Sequence, residues 1–241
     1  MPRIIAETDE ILVLDKPAGL IVHSDGRTHE PTLADWILEK YPALVSVGEP
    51  WVSPQGERVL LPGVVHRLDR TTSGIMLVAK TEEAYTYLKN EFKERRVEKT
   101  YRAVVYGHVE SEEGKIIAEI MRTSEVPKRW YSQPCDESNK RAAITEWRLL
   151  RHLTDSETGE VASYIEVQPK TGRTHQIRIH LASIGHPIVA DHLYAQDKKP
   201  IVGFKRPALH AHSISLTLKG EREIFTALLP SDFGRVESGT W

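Results

Sequence analysis

The sequence has one cysteine, four phenylalanines, almost no net charge and no long apolar run. Cys135 has no cysteine to form a disulfide with and no cysteine neighbours for a zinc site, so a reducing compartment, most simply the cytoplasm, is expected. The longest aliphatic run near the start is Ile11–Leu14. That is far short of the roughly 20 apolar residues a helix needs to cross a bilayer, and no membrane association is expected. The N-terminus carries Glu7, Asp9 and Glu10 and lacks a cationic lead before an apolar core, so it does not read as a signal or transit peptide. A net charge of −2 also lacks the basic excess that ordinarily announces a nucleic-acid partner.

What is present is ordinary for a globular protein. With 241 residues, 40% hydrophobic and 27% charged, whole-chain disorder is excluded and there is enough chain for one sizeable core. No repeat and no linker-like stretch divides it, so a single domain over 1–241 is expected, with its core at about 4–233.

Ile11–Leu14, closed by Asp15-Lys16-Pro17-Ala18-Gly19, reads as a strand and turn. Thr32 precedes Leu33, Trp36, Ile37 and Tyr41, which predicts a helix over 32–41. Residues 42–62 are rich in Pro and Gly and read as a loop insertion with at most a small hairpin. Gly74–Lys80 reads as a buried strand, followed by a helix capped by Thr81. Val97–Val109 and segments 114–120, 142–151, 163–168, 212–218 and 222–229 read as further strands. Thr171-Gly172-Arg173-Thr174 is expected to open a helix with Ile177, Leu181 and Ile184 on one face. Residues 231–241 read as a polar tail. Strands outnumber helices without alternating with them, which predicts an α+β fold with a mixed, largely antiparallel sheet flanked by helices.

The most informative stretch is Gly63 to Gly74, Gly-Val-Val-His-Arg-Leu-Asp-Arg-Thr-Thr-Ser-Gly. It sets one acid, Asp69, among cations at the end of a short apolar strand, then makes a Thr-Ser-Gly turn. Arg67 and Arg70 favour an ionised carboxylate and attract phosphate. Taken alone, the segment is more simply a surface turn of solvated charges.

The complete pattern resembles the His-Arg-Leu-Asp-x-x-Thr-Ser-Gly signature of the RluA-type pseudouridine synthases, here His66 to Gly74. Asp15–Leu20 with His23 is similar to that family's N-terminal motif. Lys99-Thr100-Tyr101-Arg102-Ala103 is similar to its Lys-x-Tyr-x-Ala strand. Thr171–Leu181, followed by Gly185-His186-Pro187-Ile188, resembles its Thr-Gly-Arg-x-His-Gln-Ile-Arg block, and Leu209-His210-Ala211 and Phe225–Pro230 also fit. One departure is Ala190 before Asp191-His192-Leu193-Tyr194, where the family usually has Gly; if that position needs φ > 0, an altered loop is expected. A second is the absence of the S4-type RNA-binding domain that many relatives carry, so recognition is expected from the catalytic domain itself.

The resemblance implies a bent-sheet catalytic fold and conversion of specific uridines in structured RNA, ribosomal or transfer, to pseudouridine without cofactor or metal. It makes Asp69 the catalytic aspartate, Arg178 the arginine that pairs with it, and Tyr101 the tyrosine against the target base. His66, Arg67, Leu68, Arg70, Thr72, Arg173, His175 and Gln176 are then expected to contact RNA. Arg67 is the candidate to fill the space left by a flipped base, a plain phosphate contact being the alternative. His66, His210 and His212 are also explained as hydrogen-bonding residues of the fold. His175 and His180 lie five apart without the spacing of helical zinc ligands. The alternative is a catalytically silent RNA-binding relative, against which Asp69, Tyr101 and Arg178 together argue. No protein partner is implied, and a monomer is expected.

The near-zero charge hides an uneven distribution. Residues 89–102 hold six Lys/Arg against three Glu, and 168–206 seven against two Asp, whereas the first thirty residues hold six acids against three bases. A polarised surface binds phosphates without a positive total.

Overall fold

In the computed structural model, which describes residues 1–24, 30–52, 56, 58–123, 130–155, 158–201 and 203–238, the chain forms two compact units. One is Met1–Glu98 with Ser213–Leu228, the other Lys99–His212 with Leu229–Trp241. Two of the three crossings fall inside strands, which is why no Gly-, Pro- or Ser-rich boundary marks them in the sequence.

The first unit opens with β1 (Arg3–Glu7) antiparallel to β2 (Ile11–Lys16). Helix α1 (Leu33–Lys40) begins with a reciprocal box. The Thr32 hydroxyl accepts from Asp35 N–H at 3.1 Å, and the Asp35 carboxylate accepts from Thr32 N–H at 2.8 Å. Two otherwise orphaned donors are thereby satisfied, and Leu33 and Ile37 turn inward to full burial. Segment 42–62 has a 3-10 turn over Pro42–Ser46, then the two-residue strands β3 (Trp51–Val52) and β4 (Arg58–Val59), paired as the small hairpin its composition allowed. Pro54, one of its turn formers, lies outside the described residues.

Strand β5 (Ser73–Ala79) is buried at every position and pairs antiparallel with β2. Strands covered on both faces read as continuous apolar runs instead of alternating patterns, as these two do. Helix α2 (Glu82–Lys93) is capped by Thr81, which accepts from Ala84 N–H at 3.1 Å. It ends on Arg95 in the left-handed region, φ 60°. There Arg95 N–H donates to Phe92 C=O at 3.2 Å and Arg96 N–H to Glu91 C=O at 2.9 Å, closing the last turn's carbonyls.

The second unit takes up the chain inside β6 (Glu98–Tyr106) and continues through β7 (Glu113–Arg122), β8 (Trp130–Pro134), β9 (Ala142–Thr154) and β10 (Val161–Pro169). Hydrogen bonding orders them β6–β10–β9–β7–β8, with all neighbours antiparallel. Helix α3 (Gln176–Ser183) follows, then β11 (Leu209–Leu218), whose Ser213–Leu218 portion returns to the first unit and pairs antiparallel with β12 (Glu221–Thr226). A 3-10 turn over Ser231–Phe233 and α4 (Gly234–Ser238) complete the described chain. The expected α+β class with an antiparallel sheet and few helices is what the strands form.

Three local expectations are corrected. Helix α3 starts at Gln176, not at Thr171, because His175 takes a left-handed φ of 53° and the preceding loop is tied down by side chains. Ile184, expected on its buried face, caps the helix and is 40% exposed. The polar tail is built in: Phe233 and Val236 are completely buried, with Phe233 5.0 Å from the Phe204 ring and Asp232 forked to Arg206 at 2.7 and 3.1 Å. Residues 239–241 lie outside the described residues. Strands β1 and β8, short and half-exposed, carry little periodic signal.

Candidate active site

The signature segment belongs to the first unit and begins at Gly63. This residue sits at φ 62°, donates to Val47 C=O at 2.9 Å and accepts from Ala79 N–H at 2.8 Å. A Cβ there would lie 2.0 Å from the Ala79 carbonyl oxygen, so the approach of this segment to β5 requires glycine. Three residues on, His66 Nε2 accepts from Leu77 N–H at 2.9 Å and its ring stacks on Phe92 with centroids 4.5 Å apart. Asp69 is half-buried, and its carbonyl accepts from Thr72 N–H at 3.1 Å, closing the turn that presents it.

That turn is gripped by the N-terminal motif. Lys16 is completely buried, and its ammonium donates to the carbonyls of Pro17 at 2.9 Å, Leu20 at 2.8 Å and Arg70 at 3.3 Å. A buried ammonium is strongly destabilising unless its donors are filled, and here backbone oxygens fill them. Gly19 N–H also donates to Arg70 C=O at 2.8 Å, and Arg70 Nε donates back to Gly19 C=O at 3.1 Å. The residue next to Asp69 is thus held by Lys16–Leu20, a link of more than fifty residues along the chain.

In the second unit, Tyr101 lies on β6 opposite Val167 of β10, half-buried against the unit's core. Lys99 Nζ, two residues earlier, donates to Thr171 C=O at 3.3 Å, which ties this strand to the loop before α3. Arg178 on α3 is 2% exposed. Its Nε donates to Asp191 Oδ2 at 2.7 Å and its Nη2 to Oδ1 at 2.8 Å, while the Tyr194 ring lies 5.2 Å from the guanidinium carbon. Asp191 Oδ1 accepts in addition from the backbone N–H groups of Leu193 at 3.0 Å and Tyr194 at 3.2 Å. Burial alone pushes the Asp191 carboxyl upward, but the guanidinium and the two N–H groups outweigh it and hold the acid below its ordinary range.

Several residues expected to contact RNA have other work. Gln176 is 4% exposed and has all four hydrogen-bonding positions filled. Its oxygen accepts from Thr171 Oγ1 at 2.7 Å and Arg173 N–H at 3.0 Å, and its amide donates to Ile144 C=O at 2.9 Å and Thr145 Oγ1 at 3.0 Å. No capacity remains for a nucleotide. Leu68 and Thr72 are buried and shape the turn. His66 anchors the segment to β5, and the His175 Nδ1 lies 2.8 Å from the Tyr194 hydroxyl. The Arg70 guanidinium pairs with Glu30 at 2.7 Å on an exposed face. Arg67, Arg70 and Arg173 are the exposed cations of the set.

A family model described as RNA pseudouridylate synthase matches residues 10–183, which contain the signature, the Lys-x-Tyr-x-Ala strand and the arginine block. The chain belongs to the RNA pseudouridylate synthase family. A Synechocystis relative, described as an uncharacterised RNA pseudouridine synthase, is 35% identical over 227 residues, 94% of this chain and 64% of its own length. The ribosomal large subunit pseudouridine synthase D of Zymomonas mobilis is 34% identical over 95% of this chain and 70% of its own length. The dual-specificity RNA pseudouridine synthase RluA of Vibrio parahaemolyticus is 32% identical over 95% of this chain and 83% of its length. The chain therefore spans 64% to 83% of the length of these relatives, less than two thirds for the first of them. Among solved structures, human RNA pseudouridylate synthase domain containing 1 superposes with a TM-score of 0.70 at 25% identity, covering 100% of this chain and 88% of that one.

Three residues around these segments are not among those the sequence points to: Lys16, which holds the Arg70 carbonyl, and Asp191 and Tyr194, which surround the Arg178 guanidinium. Each stood inside a family motif, yet a lysine in a turn and an acid in a polar loop read as solvated. Only burial shows that both charges are internal. Ala190 takes a positive φ of 59°, so alanine occupies the left-handed region here.

Proposed function

We propose that this protein isomerises specific uridines in structured RNA, ribosomal or transfer, to pseudouridine. The observation that carries the reading is the complete His66–Gly74 signature, folded as a fixed turn around Asp69, in a chain of this family. The reaction detaches uracil from C1′ through N1, turns it, and rejoins it through C5, so nothing is consumed and no cofactor is required. Asp69 acts ionised at the ribose or the base, where a fixed carboxylate favours the positive character that develops on the sugar. Arg178 is the arginine that the family resemblance pairs with the catalytic acid. Tyr101 offers the uracil a stacking face and a hydroxyl. A stacked uridine has to leave its helix to react, and the exposed Arg67 is the candidate to fill the gap or to bind phosphate, with Arg173 as a second phosphate contact.

The test uses RNA carrying tritium at uridine C5, which is released when C5 bonds to C1′. We expect chelator-insensitive release by the wild type and none above background by Asp69→Asn. Release that survives in Asp69→Asn would remove Asp69 from the mechanism, and binding without release by the wild type would favour a silent RNA-binding relative.

A further inference from the structure

We propose that Asp191 and Tyr194 are positioning residues that fix the plane of the Arg178 guanidinium. The inference rests on the reading of Arg178 as part of the machinery. Arg178 and Asp191 are 2% and 1% exposed, and both Nε and Nη2 are committed to the two oxygens of one carboxylate. A buried ion pair contributes about as much stability as apolar residues of the same volume, so such a pair is poorly explained by stability alone. What a two-point fork does supply is orientation. With Nε and Nη2 both held, rotation about the last side-chain bonds is blocked and the direction of Nη1 is set.

The rest of the surroundings stiffens that fork instead of adding bulk. The Asp191 carboxylate is itself pinned by the N–H groups of Leu193 and Tyr194, and Ala195 N–H donates to the Asp191 carbonyl at 2.8 Å. Asp191 N–H donates to Ile188 C=O at 3.2 Å, so the acid is held on both sides of its backbone as well. Tyr194 lies over the guanidinium at 5.2 Å, and its hydroxyl meets His175 Nδ1 at 2.8 Å. His175 is the residue in left-handed conformation that starts α3, the helix carrying Arg178. The loop and the helix therefore hold each other at the guanidinium, from above through an aromatic face and from the side through a carboxylate.

The experiment combines two readouts on the full chain. Single-turnover tritium release and RNA affinity are measured for wild type, Arg178→Met, Asp191→Asn, Tyr194→Leu and Tyr194→Phe. The Arg178 Nε–H resonance is followed by NMR without RNA. Asp191→Asn replaces one acceptor oxygen by a donor, so the fork cannot close. Tyr194→Leu removes the aromatic face, and Tyr194→Phe keeps it. We expect Tyr194→Leu and Asp191→Asn to lower the single-turnover rate on the order of 10- to 100-fold with RNA affinity unchanged. We expect Tyr194→Phe to restore most of the rate, and the slowly exchanging Nε–H signal of wild type to be lost in Asp191→Asn. Should Asp191→Asn not fold, the two Tyr194 variants carry the test. Normal rates in Tyr194→Leu alongside an inactive Arg178→Met overturn the positioning role alone, as does an unchanged Nε–H signal in Asp191→Asn. A fully active Arg178→Met overturns the reading on which the proposal rests.

Discussion

Ala190 shows how a single side chain meets a backbone demand. It occupies φ 59° in a turn whose neighbour, Asp191, is tied to Arg178. A left-handed alanine carries a strain on the order of 1 kcal/mol that glycine avoids. Ala190→Gly is therefore expected to raise the unfolding free energy by up to about 1 kcal/mol, read by urea denaturation. A lower stability would mean that the half-buried Cβ, packed against the second unit's core, outweighs the strain. Lys16 makes the complementary point. Its motif was legible as Lys-Pro-x-Gly, but its three carbonyl partners come from both sides of a fold that links residue 16 to residue 70. No local pattern announces such a contact.

At the scale of elements, α3 combines function with structural burial. Its residues Gln176 to Leu181 are all buried, which no amphipathic reading anticipates, because a helix covered all round has no periodic face. His180 on this helix has Nδ1 2.9 Å from Thr145 Oγ1, and Nε2 is buried with no hydrogen-bond partner among the described residues. Burial pushes its pKa down to about 4, below the usual histidine range. The folded state thus keeps His180 neutral while the unfolded state takes up a proton below about pH 6.5. Stability contributed by the neutral ring is intact above that pH and is lost as pH falls from about 6.5 to 4. Between pH 7.5 and 4.5 the unfolding free energy is expected to fall by about 2–3 kcal/mol more in wild type than in His180→Gln. Parallel pH profiles for the two proteins would show that the ring is charged or solvated in the fold.

At the scale of the molecule, each unit is closed by segments distant in sequence. The second unit receives its last core residues from the chain's C-terminal stretch, where Phe233 lies among Tyr164, Phe204 and His210, with ring centroids at 6.4, 5.0 and 6.2 Å. Removing a fully buried phenylalanine costs about 3–5 kcal/mol. Phe233→Ala is expected to destabilise the protein by that amount in thermal or urea unfolding. A loss below about 1 kcal/mol would mean the segment is a detachable tail after all. Among the described residues no helix is long and apolar enough to cross a membrane.

The sequence by itself determined the elements whose signals are local. Thr32 and Thr81 caps, the apolar runs of β2 and β5, and the order of the motifs all depend on residues within a few positions of each other, and so does membership of the family. It also singled out Asp69, Tyr101 and Arg178 as candidates, because their neighbours are part of motifs that resemble the family's. Tertiary structure alone decided which charges are internal. No spacing marks Lys16, Arg178 and Asp191 as buried, and only the packing of the folded chain strips them of water and fills their hydrogen bonds. The same reason separates Gln176 from Arg173. Both stand in one motif, yet packing closes every hydrogen-bonding position of the first and leaves the second exposed, and exposure, which no spacing encodes, is what an RNA contact requires.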